Sequence, residues 1–275
     1  MGTLYLVATP IGNLDDISAR GLRVLNEVGL IAAEDTRQTR KLLDHYQIRT
    51  RLLSYHEHNK LTRLGEVLAA LDSGDVALVS DAGTPALNDP GYELVRATLA
   101  VGFPVSPIPG PCAPVAALVA SGLPTNSFLY LGYLPRRRSG RLSLLEDVSR
   151  LPYTLIFLEA PHRLRQALLD MKVILGDREI AVARELTKMY EEIIRGKLSA
   201  TIQHFDEHQP RGEFTLVVAG YQPANESWSE EKLQNEMRKR LAIGEPPAQI
   251  ASQLAAQAGW SRRDAYRVLK SIKIP

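Results

Sequence analysis

The sequence predicts an α/β protein with two α/β domains and a small helical extension. Short apolar runs alternate with helix-like stretches in the first half, a Pro/Gly cluster at residues 107–111 interrupts this alternation, and the pattern is helical from residue 230 onward. Apolar runs bounded by turn residues are typical of buried strands, and their alternation with helices favours a mainly parallel sheet. The expected domains are residues 1–111, 112–224 and 225–275.

The first domain contains five strand-like runs and four helix-like ones. Strands are predicted at residues 4–8, 30–33, 51–55, 76–80 and 105–108, and helices at 17–28, 36–46 and 61–71, with a fourth beginning after Pro90-Gly91. Asp15 or Asp16 is the expected N-cap of the first helix, because a short acidic side chain can accept hydrogen bonds from free N–H groups. This order predicts parallel strands with helices on the faces of the sheet.

The second domain has a different pattern. A helix rich in small residues is expected at 113–121, strands at 128–130, 153–158, 179–183, 191–195 and 214–219, and helices at 142–148, 163–174 and 198–205. Helices separate only some of these strands, so the pattern indicates a second α/β domain with a mixed sheet.

The C-terminal segment has two apolar stripes at helical spacing. Gly259 can end the first of these helices, and the S-x-x-D pattern of Ser261 and Asp264 is typical of a capping box that begins the second. The pair resembles a helix-turn-helix, and a helical packing or dimer module explains it equally well. Residues 225–275 hold nine basic and six acidic side chains, so this segment carries the protein's excess positive charge.

Composition excludes several classes of protein. The 275 residues are 45% hydrophobic and 23% charged with a net charge of +2, which are values of a globular protein. Cys112 is the only cysteine, so no disulfide within the chain and no cysteine metal cluster can form, which suits a reducing compartment. The N-terminus has no basic leader and no apolar stretch approaches the roughly 20 residues that span a bilayer, so a cytoplasmic protein without membrane contact is expected.

Several well-known catalytic and nucleotide-binding motifs are absent from the sequence. The sequence has no P-loop, no G-x-G-x-x-G after the first strand and no G-x-S-x-G elbow. His204 and His208 have helical i, i+4 spacing, but no third ligand is evident, so no metal is predicted.

Four loops that follow strands carry the residues most suited to binding a ligand. They are residues 9–14, 34–37, 80–91 and 109–113. Ligands of open α/β sheets bind outside the carboxyl ends of the strands, and glycines such as Gly12, Gly83 and Gly110 let the backbone approach closely. Each loop alone is an ordinary turn, but four of them in one half of the chain favour a binding cleft.

These loops also carry a family resemblance. The segments LYLVATPIGNLDDIS, LIAAEDTRQTRKLL, SYHEHN, ALVSDAGTPALNDPGY, PIPGPCA, LIFLEAPHRL, ARELTK and GEF occur in this order between residues 4 and 220. Together they resemble the ribosomal RNA small subunit methyltransferase I family, a branch of the tetrapyrrole methylase superfamily. The chain departs from the usual pattern at Ala86, Tyr133, Leu158 and Ala160; the last two positions lack the hydroxyls common in the family.

The resemblance implies two α/β domains with a methyl-donor cleft between them. It also implies the methyl donor S-adenosylmethionine, 2′-O-methylation of a cytidine ribose in the decoding region of 16S rRNA, and a homodimer. The partner would be 16S rRNA or the small ribosomal subunit. Carried over by motif, the donor-binding residues would be Pro10, Ile11, Gly12, Asp81, Gly83, Thr84, Pro109, Gly110, Cys112, Ala113, Leu158, Leu186, Thr187 and Glu213.

Methyl transfer to a ribose hydroxyl benefits from a base, or from a cation that stabilises the developing negative charge on oxygen. The candidates are Lys188 and Glu185 in ARELTK, and Asp35 with Arg37 in EDTR. Structural ion pairs explain each of them equally well. RNA contacts need positive charge and stacking groups, for which the candidates are Arg37, Arg40, Lys41, His56, His58, Asn59, Arg136, Arg137, Arg138 and Arg141.

Two alternative functions stay open on the sequence alone. One is methylation of a small tetrapyrrole at carbon by an enzyme of the same superfamily, against which the AEDTR and ELTK motifs and the basic C-terminal segment argue. The other is a non-catalytic RNA-binding factor in ribosome assembly that keeps the donor pocket.

Overall fold

The computed structural model describes residues 2–222 and 228–272. These residues form two compact units, one ending at Tyr221 and the other beginning at Gln222. The border predicted at Asn225 lies outside the described residues. The first unit contains two five-stranded sheets, and the second contains helices.

The first sheet is wholly parallel, as the alternation of strands and helices predicts. Its strands are β1 (Leu4–Val7), β2 (Leu30–Ala33), β3 (Leu52–Ser54), β4 (Val76–Val79) and β5 (Val105–Ile108). They lie in the order β3-β2-β4-β1-β5. Every residue of β2 and of β4 is buried, which explains why these runs are apolar without alternation.

Four helices accompany this sheet: α1 (Ala19–Glu27), α2 (Thr36–His45), α3 (Lys60–Ser73) and α4 (Tyr92–Ala100). The N-cap predicted at Asp15 or Asp16 is wrong. Both aspartates belong to a short 3-10 turn at Leu14–Asp16, and the hydroxyl of Ser18 accepts from Gly21 N at 3.0 Å to cap α1.

The second sheet is mixed, as predicted. Helix α5 (Ala113–Ser121) precedes β6 (Phe128–Tyr133), α6 (Arg138–Val148), β7 (Thr154–Glu159), α7 (Leu164–Leu175), β8 (Glu179–Arg184), β9 (Glu192–Lys197), α8 (Leu198–Glu207) and β10 (Phe214–Val218). The strand order is β6-β7-β10-β8-β9, and only β6 and β7 pair in parallel. Both faces are covered: Leu155 and Phe157 pack towards α6, α7 and α8, whereas Ile156 between them packs towards α5.

Helix α6 begins earlier than predicted, at Arg138 instead of residue 142. Its first turn is polar and contains Gly140, so the apolar periodicity that reveals a helix starts only at Leu142. Part of the basic run therefore lies on the helix.

The second unit is a three-helix bundle of α9 (Glu230–Ala242), α10 (Pro247–Ala258) and α11 (Arg262–Ser271) around a core that includes Leu233, Leu254 and Leu269. The predicted end of α10 and the predicted start of α11 are confirmed. Gly259 adopts a φ of +67°, and the Ser261 hydroxyl accepts from Asp264 N at 3.0 Å. Among the described residues, no helix has both the length and the apolar character to cross a membrane.

Candidate functional site

The loops at the carboxyl ends of the strands enclose a cavity of about 310 Å³, here called the central cavity. Residues from both sheets contribute to it, which matches the cleft expected between two α/β domains. Its lining consists of Ile11, Glu34, Asp81, Ala82, Gly83, Thr84, Leu87, Asn88, Asp89, Cys112, Ala113, Pro114, Tyr130, Tyr133, Leu158, Ala183, Leu186, Glu213, Phe214 and Thr215.

Hydrogen bonds hold all four predicted loops together at this cavity, since Asp35 N donates to Asp81 Oδ1 at 2.9 Å. Thr9 and Gly83 exchange two backbone bonds of 2.9 and 3.0 Å, and the hydroxyl of Thr84 donates to Pro111 O at 3.2 Å. Gly83 has a φ of +81°, and a Cβ there would lie 3.3 Å from the side chain of Ile11. The positive φ favours glycine here, and a larger residue would also crowd Ile11 at the cavity wall.

Three carboxylates from the first sheet line the central cavity: Glu34, Asp81 and Asp89. Burial raises the pKa of Glu34, and repulsion from Asp89 and Asp81 raises it further. Burial also raises the pKa of Asp89, with a further contribution from Asp81. Among the residues that the structure describes, none of the three carboxylates has an ion-pair partner within 4 Å. The cavity therefore presents negative charge that suits a cationic ligand.

Polar contacts join the two α/β layers at the rim. The hydroxyl of Tyr130 on β6 donates to Asn88 Oδ1 at 2.6 Å, and Asn13 N donates to the hydroxyl of Thr187 at 3.1 Å. Burial raises the pKa of Tyr130 to about 12, so it stays a hydrogen-bond donor. These bonds fix the separation of the cavity walls.

The ARELTK and GEF motifs, which lie far apart in the sequence, form one hydrogen-bonded unit. Glu185 N donates to Glu213 O at 3.0 Å, and Glu213 N donates to Glu185 Oε1 at 3.0 Å. Lys188 Nζ lies 3.0 Å from Glu185 Oε1 and 3.0 Å from Glu213 Oε2. Glu185 and Thr187 have φ values of +50° and +65°, a strained conformation of the kind that clusters at functional sites.

The protonation states of this unit follow from its contacts. Burial by itself lowers the pKa of Lys188, but hydrogen bonds to Glu213 and Glu185 outweigh it and raise the pKa. Burial raises the pKa of Glu185, but the bonds from Glu213 N and Lys188 outweigh this and lower it. Lys188 is therefore a stable cation, and Glu185 is an ionised and weakly basic carboxylate.

The predicted donor-binding residues divide into three groups. Nine line the central cavity: Ile11, Asp81, Gly83, Thr84, Cys112, Ala113, Leu158, Leu186 and Glu213. Pro10 and Gly12 line an adjoining cavity, and Lys41 and Lys188 line it as well. Thr187 bonds to the loop of Asn13, while Pro109 and Gly110 line neither cavity; Gly110 is exposed and packs against Ala8.

Asp35 does not have the position expected of a catalytic base, and that prediction is corrected. Its carboxylate accepts from Arg37 N at 2.8 Å to cap α2 and pairs with the Arg37 side chain at 2.8 Å. These hydrogen bonds lower the pKa of Asp35 to about 2. Glu34 lines the cavity instead. The two residues are neighbours in the predicted loop, and only the end of β2 at Ala33 shows which one faces the cavity.

The predicted RNA-binding residues are mostly exposed. Arg37, Arg40, Lys41, His58, Arg136, Arg137 and Arg138 lie at the surface. His56 is half-buried, and Asn59 accepts from His56 N and donates to Ser54 O, which is a structural role.

Arg141 is a correction to the RNA-binding set. It is buried, pairs with Asp170 at 2.5 Å and donates to Pro135 O at 3.2 Å. Arg138 bonds to the same carboxylate at 3.0 Å. The densest basic run of the sequence therefore contains exposed arginines and one buried arginine, Arg141, which has a structural role.

The fold and cavity define a methylase of the tetrapyrrole methylase family. The family model for Tetrapyrrole (Corrin/Porphyrin) Methylases matches residues 3–201, and the chain belongs to this family. Membership makes the protein a methyltransferase that requires a methyl donor. Solved structures agree on the fold: diphthine synthase has a TM-score of 0.63 at 13% identity over 80% of this chain and 90% of its own. Cobalt precorrin-4 methyltransferase has a TM-score of 0.60 at 16% identity over 79% and 94%.

Within the family, the chain belongs to the group named ribosomal RNA small subunit methyltransferase I. The relative from Halalkalibacterium halodurans is 47% identical over 97% of this chain and 94% of its own length. The relative from Synechocystis is 48% identical over 98% and 97%. The relative from Pseudomonas aeruginosa is 47% identical over 96% and 94%.

Proposed function

We propose that this protein transfers a methyl group from S-adenosylmethionine to the 2′-hydroxyl of a cytidine in the decoding region of 16S rRNA. The observation that carries the proposal is the carboxylate-lined cavity in a chain that resembles small subunit rRNA methyltransferases over nearly its whole length. In this proposal the enzyme acts in the cytoplasm, and its macromolecular partner is the small ribosomal subunit or its 16S rRNA.

The residues present fit S-adenosylmethionine. Ile11, Leu158 and Leu186 offer apolar contacts for an adenine ring, and the carboxylates of Asp81 and Asp89 suit cationic and hydroxyl groups. The volume lies within the usual range for small-molecule sites. When bound, S-adenosylmethionine supplies an activated methyl group on a positively charged sulfur. The protein's contribution is then to align the acceptor hydroxyl and to assist loss of its proton.

Within the EDTR loop, Glu34 is better suited than Asp35 to take that proton. It lines the cavity, and its raised pKa makes it a stronger base than Asp35, whose pKa is about 2. A base is most effective when its pKa approaches the working pH.

Lys188 acts as a fixed cation in this proposal. Two carboxylates hold its ammonium group at 3.0 Å on either side, and its raised pKa keeps it protonated. It can stabilise negative charge that develops on the acceptor oxygen or bind an RNA phosphate. Glu185 orients Lys188 instead of serving as the base.

The decisive experiment maps 2′-O-methyl groups on 16S rRNA from cells with and without the protein, alongside transfer of radiolabel to purified small subunits. We expect one cytidine ribose in the decoding region to lose its methyl group when the protein is absent. Calorimetric binding of S-adenosylmethionine without any transfer to RNA would instead support a non-catalytic assembly factor. Transfer to a porphyrin-type acceptor, with none to RNA, would support a tetrapyrrole methylase. The homodimer stays a prediction that light scattering can test.

A further inference from the structure

A second cavity, here called the lateral cavity, opens beside the central cavity. Its walls are the loop of residues 134–136, which follows β6, and the loop of residues 160–163, which follows β7. Tyr133 lines both cavities, so they share a wall.

The strand register explains this arrangement. Strands β6 and β7 are parallel neighbours, with Tyr133 paired to Leu158 at their carboxyl ends. Both residues line the central cavity. The loops that continue from these strands must therefore lie next to it, and a molecule that occupies the lateral cavity is adjacent to the donor site.

A buried ion pair holds the walls of the lateral cavity in place. Glu159 is fully buried, accepts from Ala160 N at 2.8 Å and pairs with Arg163 at 3.0 Å. Arg163 also donates to Leu134 O, which ties the two loops together. Charged hydrogen bonds of this kind fix geometry as well as contributing energy. The two loops that form the cavity walls are thus fixed relative to each other.

The rim carries the side chains that stack on nucleobases. Tyr133 is 54% exposed, and Arg136 and His162 are exposed beside it. Proteins that read unpaired RNA stack bases on tyrosine, histidine and the guanidinium plane of arginine. Arg136 and Arg137 also supply positive charge for the flanking phosphates.

We propose that the lateral cavity binds the base of the acceptor nucleotide, an unpaired pyrimidine of RNA, while its ribose faces the central cavity. This inference rests on the proposed function and adds the place where the acceptor is recognised. It gives Tyr133 a role at both cavities: its ring separates the donor from the base.

The kinetic test uses His162→Ala, with His162→Phe as the rescue variant and His208→Ala as the matched control outside the cavity. Loss of one stacking partner is expected to raise the KM for unmethylated small subunits about tenfold. The affinity for S-adenosylmethionine should stay at the wild-type value, and the phenylalanine ring should restore most of the KM. If wild-type enzyme methylates subunits and His162→Ala has an unchanged KM, the inference is wrong.

A second measurement does not depend on methyl transfer. A short single-stranded RNA with a photoreactive thiouridine is irradiated with the full-length protein, and the adducts are mapped by mass spectrometry. Adducts at residues 133–136 or 160–163 support the base site, even if the proposed rRNA methylation fails. Adducts confined to other parts of the chain overturn it, even if methylation is confirmed.

Discussion

The acidic side chains near the two sheets of the first unit differ in whether they form ion pairs. Around the parallel sheet, Glu34, Asp81 and Asp89 share one cavity and repel one another, which contributes to the raised pKa values of Glu34 and Asp89. Around the mixed sheet, Asp170 and Glu159 are buried against arginines. Carboxylates that are crowded together without ion pairs among the described residues indicate a cationic ligand, whereas ion-paired ones hold the loops of the site in place.

The largest effect is expected from breaking a compensated pair. Asp170→Ala would leave Arg141, which is only 5% exposed, without its carboxylate. A buried unpaired charge costs about 3–5 kcal/mol, so the free energy of unfolding in urea should fall by that amount. Glu66→Ala, which removes a half-buried carboxylate that pairs with the exposed side chains of Arg51 and Arg63, is the control and should change it little. If both variants lower the free energy of unfolding equally, the buried ion pair of Asp170 is not a special source of stability.

The next largest effect is expected on the rate of methyl transfer when Glu34 is replaced. Glu34→Gln keeps the shape of the side chain but removes the proposed base, so kcat should fall about 100-fold. Asp35→Asn is the matched control, because asparagine also caps helices well, and its kcat should stay near the wild-type value. In wild-type enzyme, activity should decline on the acid side at a pH above the ordinary range of a glutamate, because the pKa of Glu34 is raised. A normal kcat for Glu34→Gln would eliminate Glu34 as the base.

Measurements of RNA affinity test whether the exposed arginines of the basic run contact RNA. Replacing Arg136 and Arg137 by alanine leaves the Arg141 anchor intact and should weaken binding to small subunits about tenfold at moderate salt. The slope of log affinity against log salt should fall by about one for each RNA phosphate that the variant no longer binds. An unchanged slope would show that these arginines do not face RNA.

The smallest effect is on stability as a function of pH. Because the pKa of folded Glu34 is raised, its stabilising contribution is present at acid pH and is lost as the pH rises through that value. Glu34→Gln should therefore be slightly more stable than the wild type at pH 7 and equal to it near pH 4. Thermal unfolding at both pH values checks this, and a variant that is less stable at pH 7 would contradict the assigned electrostatics.

The architecture was largely predictable, because apolar runs and helical periodicity reflect burial directly. Strand β5 and helix α5 have the predicted bounds, and the mixed second sheet is confirmed. Side-chain direction beyond a strand end was not predictable. Glu34 and Asp35 are neighbours of similar chemistry, and only the three-dimensional structure shows that one faces the cavity while the other caps a helix.

The same limit explains why the sequence did not reveal the different roles of the arginines in the basic run. Charge alone does not separate Arg136 from Arg141, since their difference depends on Asp170, which is 29 residues further along the chain than Arg141. The pairing of ARELTK with GEF is likewise a long-range interaction that no local pattern reveals.

The proposed function depends on binding of a cationic methyl donor by the cavity carboxylates of the first sheet. Calorimetric titration of S-adenosylmethionine into wild-type protein, Asp81→Asn and Asp89→Asn tests it most directly, because both changes remove charge and keep shape. We predict that each variant binds the donor about tenfold more weakly while its free energy of unfolding stays the same or rises. Donor affinity equal to that of the wild type in both variants would contradict the claim.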